Sequence, residues 1–293
     1  MTEPAGPWRS PANPAGIVPA GRSGSVFCLV ASMVLAIGLK SHPAYLGVPW
    51  SLPALAALGS GLVLARRDPD PRWWRTAVLL AYLIVLLFFT RIDGDTRDAH
   101  VVELLLKLGV GALLVPAFAA RRWLDEPLDY QWITGRWSLR MWVWLGVGFL
   151  LAYAILGQYF TSWTPSLHES WPLPPADDPR RTEEMWRLFW GCNFVGFWDE
   201  LCFVNFVFVL LARRVGLITA LLAQAVFFTS FLHEMAFVGW GPVVIFAFAL
   251  IQGITYHRTR SLLYVVVLHL AIDSILFYWI ANRWYPGWGW HPW

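Results

Sequence analysis

Charged side chains are scarce in this sequence. Asp, Glu, Lys and Arg make up 14% of the 293 residues, while hydrophobic residues make up 57%. An ordinary soluble domain is about 25% charged. The shortage of charge excludes a typical water-soluble domain and predicts an integral membrane protein, since a bilayer removes the need for a charged surface.

Cysteine and the common metal and repeat patterns are also lacking. The chain has three cysteines, Cys28, Cys192 and Cys202, each within an apolar segment. This number and spacing exclude a disulfide framework and match no zinc site, so we interpret them as small buried side chains. The H-E-x-x-H zinc pattern is absent because the sequence from His233 reads H-E-M-A-F. No internal repeat is evident, which disfavours a transporter built from inverted repeats.

Long apolar runs, by contrast, are abundant in the sequence. A spanning helix needs about 20 mostly apolar residues. Many of the 20 tryptophans stand at the ends of such runs, where an indole ring suits the membrane interface. The pattern predicts an all-α, polytopic transmembrane bundle of eight or nine helices. The runs lie near residues 23–39, 50–65, 76–90, 102–120, 139–158, 188–211, 215–233, 238–256 and 262–281.

These runs divide the chain into five segments. Residues 1–22 are rich in Pro, Gly and Ala and are predicted to be a disordered tail. Residues 23–158 hold the first transmembrane helices, and 159–187 form an extramembrane loop rich in Pro and Trp. Residues 188–282 hold a second group of helices, followed by a short tail at 283–293.

Arginine placement predicts the orientation of the bundle. Positive residues concentrate in the cytoplasmic loops of membrane proteins. With nine helices and a cytoplasmic N-terminus, the four arginine-rich loops all fall on the cytoplasmic side. Those loops contain Arg66, Arg67, Arg72 and Arg75, then Arg121, Arg122, Arg136 and Arg140, then Arg213 and Arg214, and finally Arg258 and Arg260.

Five polar residues interrupt the later apolar runs. Asp199 and Glu200 stand in the middle of one run, His233 ends the next, and His269 and Asp273 lie within the last. A charged residue at the centre of a membrane helix costs about 2.5–3.5 kcal/mol on an insertion scale, so such residues mark functional sites. His269 and Asp273 share a helix face because they are four apart. Adjacent Asp199 and Glu200 diverge by about 100°, which predicts that only one faces the site directly.

The same residues carry a resemblance to a known family. The stretch D-E-L-C-F-V-N-F-V-F-V-L-L-A-R-R-V-G from Asp199 resembles the first motif of the CPBP family (CAAX prenyl protease and bacteriocin-processing, or Abi), which are glutamic-type intramembrane proteases. His233 in F-F-T-S-F-L-H stands at the second motif, and H-L-A-I-D from His269 matches the third. The resemblance covers about residues 185–282, so the second group of helices is expected to be the catalytic one.

The resemblance implies catalytic roles for all five residues. Asp199 or Glu200 would be the base that takes a proton from a water shared with His233. His269 and Asp273 would stabilise the oxyanion on the scissile carbonyl. We expect an endopeptidase without a cofactor that cleaves a membrane-tethered peptide or protein, such as a precursor peptide or a C-terminal sorting tail. The lipid bilayer is the other expected partner, and no nucleic acid is expected. We expect the protein to lie in a bacterial plasma membrane.

Departures from the family pattern keep two alternatives open. The family's first Glu is Asp199 here, one methylene shorter, its motif Arg is Val204, and the Phe of its second motif is Thr229. One alternative is a non-catalytic protein of this fold with a binding or immunity role. The other is a zinc-dependent membrane protease in which His233, His269 and a carboxylate bind the metal.

Overall fold

The protein is a bundle of helices. A computed structural model describes residues 20–38, 51–90, 92–125, 137–163, 171–172, 174–175, 177–234 and 239–284, and within these ranges it has nine helices and no strand. The predicted all-α polytopic bundle is thus confirmed. The helices are α1 (Ala20–Met33, continued by the π-helical segment Val34–Gly38), α2 (Ser51–Arg66), α3 (Pro71–Phe88), α4 (Asp98–Leu124), α5 (Leu139–Ser162), α6 (Arg180–Val215), α7 (Leu217–Glu234), α8 (Gly241–Thr259) and α9 (Leu262–Trp284).

Five of these helices, α3, α4, α5, α6 and α9, are long and apolar enough to cross a membrane. Three shorter apolar helices, α1, α2 and α7, accompany them. A bilayer favours helices because each one satisfies its own backbone hydrogen bonds. The described part of the chain therefore supports an integral membrane protein, as the composition predicts.

Helix α6 is the centre of the bundle. In its apolar 18-residue window 89% of the residues are buried, compared with 6% in that of α5. Helices α3, α4, α7, α8 and α9 all contact α6. Helix α5, by contrast, packs along α9 and leaves most of its surface uncovered by protein. Asp199 and Glu200 therefore lie on the most enclosed helix.

The middle of α6 is a π-helical segment, Glu200–Val207, where the turns widen. At its end the amide of Phe208 donates to the carbonyl of Phe203, five residues earlier. Such segments are rare and often occur at functional sites, because the extra residue redirects neighbouring side chains. This segment begins directly after Asp199, so it sets the direction in which the acidic pair points.

The arginine-rich helix ends meet at one end of the bundle. Arg22 at the start of α1 binds Asp68 and Asp70 between α2 and α3, and its Nη1 donates to the carbonyl of Arg214 at the end of α6. Arg75 reaches the carbonyl of Trp123 at the end of α4. These contacts bring together three of the four arginine-rich loops, while the assignment of this end to the cytoplasm stays a prediction.

The connection between α5 and α6 has other bounds than the sequence predicts. Helix α5 continues to Ser162 and α6 begins at Arg180, so the connection is shorter than the predicted loop 159–187. Of the predicted tails, residues 1–19 and 285–293 lie outside the described residues.

The ion pair of Arg22 with Asp68 is expected to stabilise the fold. Arg22 Nε lies 2.8 Å from Asp68 Oδ2, and the Asp68 side chain is 2% exposed. Burial raises the pKa of Asp68, but hydrogen bonds, chiefly from Arg22, outweigh it, so the pKa lies below its ordinary value. We expect Asp68→Asn to lower the free energy of unfolding by about 1.5–3 kcal/mol, because a charge-assisted hydrogen bond is lost.

Thermal unfolding in detergent measures this effect. Asp98→Asn is the matched control, since Asp98 pairs with Arg187 but its side chain is 87% exposed. An exposed pair contributes at most about 1 kcal/mol. Equal losses in the two variants would contradict a structural role for the Arg22–Asp68 pair.

Candidate active site

Four of the five predicted residues meet between two helices. Asp199 and Glu200 come from the middle of α6, and His269 and Asp273 come from the middle of α9. All four side chains belong to residues that are more than nine-tenths buried. Helix α9 presents its pair on one face because the two residues are four apart. The packing of α9 against α6 therefore forms the cluster.

Glu200 holds the His269 ring in place. Its Oε1 lies 2.6 Å from His269 Nδ1 and also accepts a hydrogen bond of 2.8 Å from Gln252 Nε2 on α8. The other ring nitrogen, Nε2, lies 3.5 Å from Asp273 Oδ1. Phe248 packs edge-on against the ring at 5.0 Å between centroids. A carboxylate on one nitrogen of a histidine fixes the ring's orientation and the role of the other nitrogen.

Asp199 faces a cavity instead. The cavity has a volume of about 260 Å³, and its wall includes Asp199, His269 and Asp273 but not Glu200. Both carboxylate oxygens of Asp199 are buried and have no hydrogen-bond partner. The two adjacent acids thus point in different directions, as residues separated by about 100° around a helix must. Asp199 is the acid that is available to a molecule in the cavity.

The rest of the cavity wall is almost wholly apolar. Helix α5 contributes Trp144, Gly148 and Ala152, and helix α8 contributes Phe248 and Ile251. Helix α5, which forms part of the cavity wall, is largely uncovered by protein. The cavity therefore suits an apolar peptide segment that approaches from the membrane, with the polar groups gathered at one wall.

Gly196 makes room for Asp273. A Cβ atom at position 196 would overlap Asp273 Oδ2 and would also lie 3.2 Å from Cδ2 of His269. The close approach of α6 and α9 at the site therefore depends on the missing side chain. Gly196 stands one helical turn before Asp199, on the same face of α6.

Gln252 and Gly196 are the site residues that the sequence-based prediction missed. Gln252 is a polar residue in the apolar run I-F-A-F-A-L-I-Q-G-I, so the rule that singled out the acids also applies to it. Gly196 gives no comparable signal, because a glycine in a membrane helix is common and its use depends on the opposing helix.

His233 is the fifth predicted residue, and it lies apart from the four. It is half-buried at the end of α7, and its Nδ1 has no hydrogen-bond partner. Its neighbour Leu232 lines the cavity, while His233 does not. A part for His233 in catalysis stays a prediction.

Metal binding has no residue cluster of the usual kind here. Among the described residues, no group of three or more His, Cys, Asp or Glu side chains is arranged to hold a metal ion. His269 already contacts a carboxylate at each nitrogen. The zinc alternative is therefore best addressed by experiment.

A comparison with known proteins gives a match over the part of the chain that contains the site. Residues 181–275 match a family model described as Type II CAAX prenyl endopeptidase Rce1-like. No curated protein and no solved structure gives a significant match. The matched segment begins in α6, ends in α9 and contains all five predicted site residues.

The match and the apolar helices lead to the same class of protein. An Rce1-like segment in a chain with five helices able to cross a membrane supports a membrane-embedded peptidase. The predicted resemblance to the CPBP family is confirmed over residues 181–275, the part of the chain that carries the candidate active site.

Proposed function

We propose that this protein is an intramembrane endopeptidase in which Asp199 activates the water that hydrolyses a peptide bond. One observation carries the proposal: both oxygens of Asp199 are unpaired and face the cavity, on the same wall as His269 and Asp273. Glu200 is the adjacent acid, but its Oε1 is engaged by His269 and Gln252. These contacts support the proposed division of roles.

The proposed reaction uses the four clustered side chains. Asp199 takes a proton from a water molecule in the cavity, and the water oxygen attacks the carbonyl carbon of the scissile bond. His269 as an imidazolium donates through Nδ1 to Glu200 and through Nε2 to the carbonyl oxygen, where negative charge develops. Asp199 then returns the proton to the leaving nitrogen as the carbon–nitrogen bond breaks. The second proton of the water stays on the new carboxyl group, so the products are a carboxylic acid and an amine.

Each remaining residue has a defined part. Asp273 lies beside His269 Nε2 and limits the directions that the ring can take. His233, next to the cavity-lining Leu232, is proposed to contact the same water when a substrate is bound. The family's base is one methylene longer than Asp199, so we propose that the position of α6 here brings the shorter side chain close to the bond.

The substrate is proposed to be a membrane-tethered peptide or protein. The cavity wall is apolar, and α5, which forms part of it, is largely uncovered by protein. A segment of low charge that lies in the bilayer, such as the tail of a precursor, meets both conditions. Soluble, charged peptides would have to lose their hydration to enter such a cavity.

A direct test uses the purified protein in lipid nanodiscs with a set of membrane-tethered peptides. We expect cleavage at defined bonds, incorporation of one water oxygen into the new C-terminus, and no loss of rate with a strong zinc chelator. Loss of activity with the chelator, restored by zinc, would favour the metal-dependent alternative. Absence of cleavage in every peptide and in native membranes would contradict the proposal.

Two substitutions at Glu200 separate a positioning role from that of the base. Glu200→Gln keeps an oxygen that accepts from His269 Nδ1, whereas Glu200→Ala removes it. We expect the alanine variant to lose about 100-fold in kcat, since a misplacement near 1 Å costs about that much, and the glutamine variant to lose clearly less. Steady-state rates on one peptide measure both. Equal, complete loss in the two variants would instead identify Glu200 as the base.

A further inference from the structure

A second buried polar cluster lies between α6 and α8, outside the lining of the cavity. It consists of Glu200 and Asn205 from α6 and Gln252 and Tyr256 from α8, which are 0, 1, 0 and 2% exposed. Two hydrogen bonds cross between the helices: Gln252 Nε2 donates to Glu200 Oε1 at 2.8 Å, and Tyr256 Oη donates to Asn205 Oδ1 at 2.6 Å. None of these four residues lines the substrate cavity.

The two hydrogen bonds form successive rungs between the helices. Gln252 and Tyr256 are four apart on an α-helix, so they share a face. Glu200 and Asn205 are five apart in the π-helical segment, where residues five apart are joined by the backbone hydrogen bonds. Four residues of an α-helix rise about 6 Å, so the two rungs lie about one helical turn apart.

Three polar atoms of the cluster are left without a partner. They are Glu200 Oε2, Asn205 Nδ2 and Gln252 Oε1, all buried. Each unpaired buried polar group costs about 1–3 kcal/mol. The set contains a donor as well as acceptors, and water can serve both kinds of group. A metal cation would serve only the oxygens.

A fifth buried polar residue, on α7, lies against the same helix α8. Gln224 is fully buried, and neither of its amide atoms has a hydrogen-bond partner. It lies against α8 at Gly253, the residue that follows Gln252, since a Cβ atom on Gly253 would be 2.9 Å from Gln224 Oε1. The absence of a side chain at Gly253 thus leaves the space that the Gln224 amide fills. Buried polar groups of this kind are normally satisfied by internal water.

We propose that Glu200, Asn205, Gln224 and Gln252 bind internal water, with a molecule that bridges Asn205 Nδ2 to Glu200 Oε2. The water lies on the side of Glu200 that faces away from the substrate cavity. It donates a hydrogen bond to the second carboxylate oxygen of Glu200, Oε2. This bond fixes the Glu200 side chain, which in turn holds His269. This consequence for catalysis rests on the proposed function, whereas the water site itself does not.

Hydroxyl-radical labelling with synchrotron X-rays tests the water site in the full chain in lipid nanodiscs. The radicals form from water in place, so a buried side chain beside ordered water is labelled while a dry one is not. Tyr256 is compared with Tyr159, which is of the same type and equally exposed at 2%. Tyr159 belongs to an apolar cluster with Phe160 and Met185. We expect Tyr256 to be labelled several-fold faster.

A pair of variants assigns the water to the cluster. Asn205→Leu keeps Tyr256 and removes the amide, so labelling of Tyr256 is expected to fall to the rate of Tyr159. Asn193→Leu is the control on the same helix, because the Asn193 amide donates to the carbonyl of Phe189 and lies outside the cluster.

Equal labelling of Tyr256 and Tyr159 in the unmodified protein overturns the proposal, and so does unchanged labelling of Tyr256 in a folded Asn205→Leu variant. The first comparison needs no variant, so it decides the matter even where Asn205→Leu folds poorly. Both are made without substrate. A failure here therefore leaves the proposed peptidase function untouched, and an inactive protein leaves the water site testable.

Discussion

Replacement of Asp199 by asparagine is expected to abolish cleavage. The variant keeps the size of the side chain and its place in the cavity wall, but the amide cannot take a proton from water. General-base catalysis contributes about 10²–10⁴-fold, so the rate on any cleaved peptide is expected to fall by at least about 100-fold. Initial rates in nanodiscs, at equal amounts of folded protein, measure the loss.

Two further variants serve as controls for this result. Asp98→Asn makes the same chemical change at an exposed residue outside the site and is expected to leave the rate unchanged. Asp199→Glu restores a carboxylate with one more methylene, and we expect it to retain far more activity than the asparagine variant. An asparagine variant as active as the unmodified protein would eliminate Asp199 as the base.

Replacement of Gly196 by alanine is expected to have the second largest effect. The added methyl group would overlap the carboxylate of Asp273, so α6 and α9 must separate or Asp273 must turn away. A displacement of about 1 Å at the site costs about 100-fold in rate. Overpacking of this kind also lowers the free energy of unfolding by about 1–3 kcal/mol. Cleavage rates and thermal unfolding measure the two effects separately.

Gly191→Ala is the matched control for this substitution. Gly191 lies on the same helix, and an added Cβ atom would meet nothing within 4 Å. Alanine is also the better helix former, so this variant is expected to be at least as stable as the unmodified protein. Equal behaviour of the two variants would show that Gly196 is not needed for the contact between α6 and α9.

The helices and the acidic pair could be predicted from the sequence because each depends on local information. A run of about 20 apolar residues predicts a spanning helix whatever surrounds it. Asp199, Glu200, His269 and Asp273 stand out for the same reason, since charge in such a run is costly wherever the helix packs. Their joint position in one cluster follows from the order of motifs that resembles the CPBP family.

The different surroundings of Asp199 and Glu200 could not be predicted in this way. Helical geometry indicates that adjacent residues diverge, but it does not say which of them faces the cavity. That depends on where α9 and α8 place His269 and Gln252, and on the π-helical segment that begins at Glu200. Contacts between distant parts of the chain decide these points, and no local pattern encodes them.

The surroundings of Val204 show how the chain accommodates this departure from the family motif. The family has an arginine at this position, and Val204 is fully buried in the core of the bundle. In this chain the basic group in contact with the acidic cluster is His269, which lies between Glu200 and Asp273. The loss of the motif arginine is therefore compatible with a charged, catalytic arrangement.

The most direct test of Asp199 as the catalytic base is a comparison of membrane-protein termini in native cells that carry either the unmodified protein or Asp199→Asn, with both proteins present at equal abundance. We predict that a defined set of new N- and C-termini is present with the unmodified protein and absent with Asp199→Asn. Identical termini in the two strains would contradict the role of Asp199 as the catalytic base.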